Sequence, residues 1–135
     1  MHENLIRRNR NFYESCIQEI EAVPAGTPIR GAAIAGRAAL RAPDAYYLEY
    51  DYALRQLRSH RQKPGRYGSR TRHSYMQWEE LSQRVAMRQH RRGLTDAIAL
   101  QQELQEGRPS SYFLSPAYAY RLFKSLSINH TSLKP

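Results

Sequence analysis

PDAYYLEYDYALRQLRS, residues 43–59, aligns without gaps on PSSYFLSPAYAYRLFKS, residues 109–125. Pro43 and Pro109, Tyr46 and Tyr112, Leu48 and Leu114, Tyr52 and Tyr118, Ala53 and Ala119, Arg55 and Arg121, and Ser59 and Ser125 are identical pairs. The pairs Tyr47 with Phe113, Leu57 with Phe123 and Arg58 with Lys124 are conservative. Identities concentrated at aromatic and special residues point to an internal repeat.

The second copy settles how the first is read. Tyr47, Tyr50, Leu54 and Leu57 could by spacing belong to one long helix starting at Asp44. Pro116 forbids that reading in the second copy, because proline is tolerated only in a first helical turn, and Ser115 before it suits an N-cap. Residues 112–114 therefore lie outside the helix and are read as a short extended strand. By analogy 46–48 is a strand too, with a helix from about Tyr50, although Glu49 is a poor cap.

Working outward, a helix is expected before each unit. One spans 28–40, with Thr27 and Pro28 as its start signal, and one spans 95–106, capped by Thr95 and ended by Gly107. Leu5, Ile6, Phe12, Cys16, Ile17, Ile20 and Val23 recur at three- and four-residue steps and predict an amphipathic helix over 3–23. Between the units, a helix over 72–92 carries Tyr75, Trp78, Leu81 and Val85 on one side. Gly31 and Gly36 are read as close-packing positions.

The fold expected is mainly α in an α+β arrangement: about six helices, with the two short strands paired as a small two-stranded ribbon covered on one face. A single domain over 1–126 is expected, with units at about 27–61 and 95–126, a basic insert at 62–94 and a flexible tail at 127–135.

A net charge of +9 becomes informative once located. Residues 52–95 hold 11 Arg or Lys against two acids, Glu79 and Glu80, while the rest of the chain holds ten of each sign. Arginine supplies 18 of the 21 basic residues, and its planar fork suits phosphate oxygens better than the lysine ammonium does.

The expected nucleic-acid-binding residues fall in three groups. Arg55, Arg58 and Arg61 lie on one helix. Lys63, Arg66, Tyr67, Arg70 and Arg72 lie in and after a glycine-containing loop, where Tyr67 could stack on a base. Arg84, Arg88, Arg91 and Arg92 lie on the next helix, the first three on one face. Such contacts position a protein on phosphates without reading sequence. A helix-turn-helix fits less well, because the eight-residue loop exceeds the usual tight turn.

The function expected is therefore non-enzymatic nucleic-acid binding, on DNA rather than RNA. The rival is an assembly module that dimerises through the aromatic ribbon. Arg55 and Arg121, and the tyrosines at repeat positions, are read first as scaffold.

Catalytic and metal chemistry find little support. His60, His73 and His90 do not pair at ligand spacing, and one cysteine cannot complete a zinc site. Cys16 falls among apolar positions, where a thiol is inert. GAAIAGRA at 31–38 fails as a phosphate loop, since Arg37 and Ala38 stand where Lys and Ser or Thr are needed and no strand precedes it. No cofactor or small-molecule substrate is expected.

No apolar run reaches the roughly 20 residues of a membrane span, and MHENLIRRNRNF lacks a signal-peptide core. A cytoplasmic location is the expectation, which also discounts the sequon Asn129-His130-Thr131.

Overall fold

The computed structural model describes residues 2–64 and 72–132, with side chains described for 3–64 and 72–128. Six helices follow one another among the described residues: α1 (His2–Glu21), α2 (Gly31–Ala39), α3 (Tyr50–Gln62), α4 (Arg72–Arg92), α5 (Asp96–Glu106) and α6 (Pro116–Ser132). None is long and apolar enough to cross a membrane.

Local chemistry explains most of the boundaries. The turn after α1 contains Pro24 and has Gly26 at φ 83°, a left-handed value that glycine adopts without steric cost. α4 stops before Gly93, at φ 64°. Thr95 caps α5, its hydroxyl accepting from the Ile98 N–H at 3.3 Å, and the Ser115 hydroxyl accepts from the Tyr118 N–H at 3.2 Å at the start of α6. α3 starts at Tyr50, and Glu49 before it makes no side-chain cap. α2 begins at Gly31 rather than 28, with Arg30 as an uncapped N-cap. α6 continues to Ser132, through much of the stretch read as a tail.

The chain divides into two compact units. One is continuous, Asp44–Pro109, and holds α3, α4 and α5. The other joins His2–Pro43 to the segment from Ser110 and holds α1, α2 and α6. Each unit thus combines a long helix, the short helix that follows it, and a third helix that starts within one of the two aligned segments, 43–59 or 109–125.

The core of the continuous unit is Ala53, Leu57, Trp78, Leu81, Val85, Ala99 and Leu100, with Tyr46, Leu48 and Tyr52 packed against it. Tyr52 meets Trp78 edge-on at 5.9 Å. The discontinuous unit buries Phe12, Cys16, Ile34, Ala35, Ala38, Ala39, Tyr112 and Ala119. Phe12 meets Tyr112 edge-on at 5.4 Å, and the Tyr112 hydroxyl lies 3.0 Å from that of Ser15. Leu5 and Ile6, placed on the apolar face of the first helix by spacing, are about half exposed.

At Gly31, α2 lies against α6. A Cβ there would sit 3.0 Å from Tyr120 Cε1 and 3.5 Å from Phe123 Cε2. Gly36 has no such neighbour within 4 Å, so the close-packing reading holds for the first glycine only.

The two-stranded ribbon is not formed: no strand occurs among the described residues. Tyr47 and Phe113, in the middle of the two segments read as strands, both take φ 53°. A strand needs consecutive residues near φ −120 to −140°, and one left-handed residue turns the chain away from that path. That conformation costs a side-chain-bearing residue roughly 1–2 kcal/mol. The cost is offset because the turn carries the flanking residues, Tyr46 with Leu48 and Tyr112 with Leu114, onto the apolar clusters. The segments belong to different units, and Tyr112 donates its N–H to the Ala39 carbonyl at the end of α2, at 3.0 Å. They are corners rather than strands.

Candidate nucleic-acid interface

Three-dimensional pairing sorts the basic residues into two classes. Arg61, Arg84 and Arg88 are engaged with acids. Arg61 Nη1 lies 2.7 Å from Asp96 Oδ1, and its other nitrogens donate to the hydroxyl and carbonyl oxygens of Ser82, each at 3.1 Å.

Arg84 and Arg88 meet Glu103, a nearly buried carboxylate that α5 points towards α4. Arg88 Nε donates to Glu103 Oε1 at 2.8 Å, and its Nη1 lies 3.2 Å from Glu106 Oε1. Arg84 Nη2 pairs with Glu80 Oε1 at 2.6 Å, while its Nη1 donates to the Tyr46 hydroxyl at 3.0 Å. Tyr46 in turn donates to Glu103 Oε2, which makes a continuous chain from Arg84 through Tyr46 to Glu103 and back to Arg88.

Burial, and next the hydrogen bond to Glu103, push the Tyr46 phenol above the ordinary tyrosine range, so it stays a neutral donor. The hydrogen bond to Glu103 likewise holds Arg88 above its usual value, against the effect of desolvation. The α4 face bearing Arg84 and Arg88 is therefore largely neutralised by α5.

The second class is exposed. Arg55 and Arg58 on α3, Lys63 just after it, Arg72 at the start of α4 and Arg91 near its end all face solvent and make no ion pair among the described residues. Arg92 is exposed and donates only to Gln102, at 2.8 Å. Arg91 and Arg92 line an open groove of about 430 Å³ between α4 and α5, which Arg108 and Glu106 also line. Arg66, Tyr67 and Arg70 lie outside the described residues.

His60 is buried under α4, with Nε2 3.3 Å from Glu79 Oε1 and its ring 5.1 Å from that of Tyr75. Its Nδ1 has no hydrogen-bond partner. Cys16 is fully buried, and burial, with the Glu19 charge second, pushes its thiol up to about 12. It cannot serve as a nucleophile near neutral pH.

Sequence reasoning set aside a further group of cations, on the discontinuous unit. Arg8 Nη2 donates to the Tyr118 hydroxyl at 3.1 Å, and its guanidinium carbon lies 5.8 Å from that ring's centre. The Arg121 guanidinium lies 5.9 Å from the same ring, and Lys124 Nζ is 4.3 Å from the centre of Tyr120. The signal was present in the repeat, where Arg121 aligns with Arg55 and Lys124 with Arg58. It was assigned to scaffold because arginines at repeat positions often bond backbone groups.

No protein-family model matches the chain, and neither the curated proteins nor the solved structures contain a match.

Proposed function

We propose that the protein binds nucleic acid through its phosphate backbone, with duplex DNA the first candidate and no base sequence read. The observation that supports this is the position of Arg55 and Arg58. They are one helical turn apart on the exposed side of α3, and neither meets an acid among the described residues. Where this unit has acids to spare it uses them on Arg61, Arg84 and Arg88. The cations left over, Arg55, Arg58, Lys63, Arg72, Arg91 and Arg92, are an uncompensated positive field that favours a polyanion.

The footprint is thus narrower than a linear count of residues 52–95 suggests. Arg84 and Arg88 support the fold of this unit, and the exposed cations make the contacts. Arg66, Tyr67 and Arg70 belong to the same proposal through their place in sequence, between Lys63 and Arg72.

Fluorescence anisotropy with a labelled random-sequence duplex over a salt series tests this. The wild-type affinity should fall steeply with salt, with a logarithmic slope of about 0.9 per phosphate contacted. Arg55→Glu with Arg58→Glu should weaken binding to every sequence alike and flatten that slope. The same series on a single strand and on an RNA duplex distinguishes the polymers. Binding indifferent to both salt and the double reversal overturns the reading, as does a protein that binds none of these polymers.

A further inference from the structure

The cations on the discontinuous unit repeat the arrangement on α3. Arg121 and Lys124 stand on α6 at the positions that Arg55 and Arg58 hold on α3, and all four face solvent. The two helices also start in the same way. Tyr47 and Phe113 share φ 53°, two residues before Glu49 and Ser115 respectively. The Glu49 carbonyl accepts from Ala53 at 2.9 Å, the Ser115 carbonyl accepts from Ala119 at 2.8 Å, and both alanines are fully buried. A buried alanine at the same register fixes which way each helix faces its core. The basic pair two and five residues further on is therefore presented on the matching outer side of both helices.

The second seat, like the first, lacks acidic partners among the described residues. Two guanidinium groups, Arg8 and Arg121, lie within 6 Å of the centre of one phenol ring, and neither pairs with an acid among the described residues. α6 contains no Asp or Glu. Glu19, a carboxylate of the same unit, is already held by Arg37 at 3.0 Å and Arg41 at 2.5 Å. The ring supplies only a modest attraction to each cation and leaves its positive charge uncompensated. An anion with several oxygens, such as a backbone phosphate, would supply the missing counter-charge through charge-assisted hydrogen bonds.

We infer that each unit carries its own phosphate seat, Arg55 and Arg58 on α3 in the continuous unit and Arg121 and Lys124 on α6, with Arg8 held against Tyr118, in the discontinuous one. This rests on the nucleic-acid reading above and extends it to the unit that carries no part of the sequence-derived footprint. Function then lies within the repeated segments as well as between them.

The full-length protein tests this in five forms: wild type, R55E/R58E, R121E/K124E, all four changes combined, and R30E as a control for net charge, since Arg30 is exposed and lies outside both helices. Affinity and salt slope are measured on the random-sequence duplex, with circular dichroism confirming that each variant keeps its helices. Each double reversal should lower the slope by about two, roughly one per cation removed, and the fourfold variant should lose more than either. R30E should leave the slope near that of wild type.

If R121E/K124E binds as wild type does while R55E/R58E is weakened, the inference of a second seat falls and the first reading stands. If neither double reversal changes binding, both fall. R30E changes the net charge by half as much as R121E/K124E, so if it costs half as much or more in the logarithm of affinity, the second seat is only a share of the net charge and the inference also falls.

Discussion

Arg88 Nε lies 2.8 Å from Glu103 Oε1, and that carboxylate also accepts from Tyr46 and faces Arg84. One nearly buried acid therefore holds two arginines that a linear charge count assigns to a binding surface. The same contact makes Glu103 a point at which fold and binding oppose each other.

Replacing Glu103 by Gln should destabilise the continuous unit and tighten polyanion binding together. Removing one partner of a buried pair costs about 3–5 kcal/mol, and the partial exposure of Arg84 and Arg88 reduces that here to roughly 2 kcal/mol. Trp78, the only tryptophan, lies in this unit's core and reports its unfolding in urea. Two guanidiniums released from Glu103 should strengthen binding to duplex DNA at low salt. An unchanged urea midpoint would mean that Glu103 does not hold this cluster.

Two glycines of α2 should respond in opposite directions to alanine. At Gly36 a Cβ meets nothing within 4 Å, so Gly36→Ala gains helix propensity of about 0.5–1 kcal/mol. At Gly31 the same atom falls 3.0 Å from the Tyr120 ring, which must give by a few tenths of an ångström and lose packing against α2, at a cost of about 1 kcal/mol. Thermal unfolding of the two single variants measures both. Two shifts of the same sign would contradict the close approach at Gly31.

These glycines show how far sequence reaches. Helix positions were legible because proline, threonine and serine mark the starts of α5 and α6, and the repeat carried the start of α6 back to α3. The corners at Tyr47 and Phe113 were not, since no glycine or asparagine signals a left-handed residue there and the aromatic run reads naturally as a strand. Nor could the pattern say which third helix covers which pair. α3 and α6 carry the same buried alanine preceded by a tyrosine, Tyr52 or Tyr118, so either satisfies the apolar face of α2 or α5 as far as periodicity can tell. The candidate site was half legible. Exposed arginines and paired arginines look identical in sequence, and three of the four acids that separate them, Asp96, Glu103 and Glu106, fall just outside the basic window, with only Glu80 inside it.

Acid should weaken the discontinuous unit through Glu19. The hydrogen bond from Arg41, supported by Arg37 and opposed by burial, holds this carboxyl below its ordinary value of 4.5. A folded-state value below the unfolded one contributes stability that is fully present above the unfolded value and is lost as pH falls through the folded one. The stability gap between wild type and Glu19→Gln should therefore be largest above pH 4.5 and close as pH drops below it. Urea midpoints of both proteins at stepped pH measure this. A gap independent of pH would show that the Arg37 and Arg41 contacts contribute nothing through charge.

Cys16 supplies the matching probe for that unit. It is the only cysteine, it is fully buried between α1 and its neighbours, and its thiol is pushed up to about 12. Both accessibility and thiolate fraction oppose its reaction, so a thiol reagent at neutral pH should modify it only when the unit opens. Labelling of the native protein should be slower than labelling in urea by several orders of magnitude, and Glu19→Gln should speed it in proportion to the stability lost. The reason is mechanical: Glu19 lies one turn from Cys16 on α1 and ties that turn to Arg37 on α2 and to Arg41 just beyond it. Charge reversal at Arg121 and Lys124 should leave the labelling rate near the wild-type value, because both side chains face solvent and neither is part of the buried cluster. Rapid labelling of that variant would mean the second seat is structural, and its loss of binding would then reflect a damaged unit rather than missing phosphate contacts.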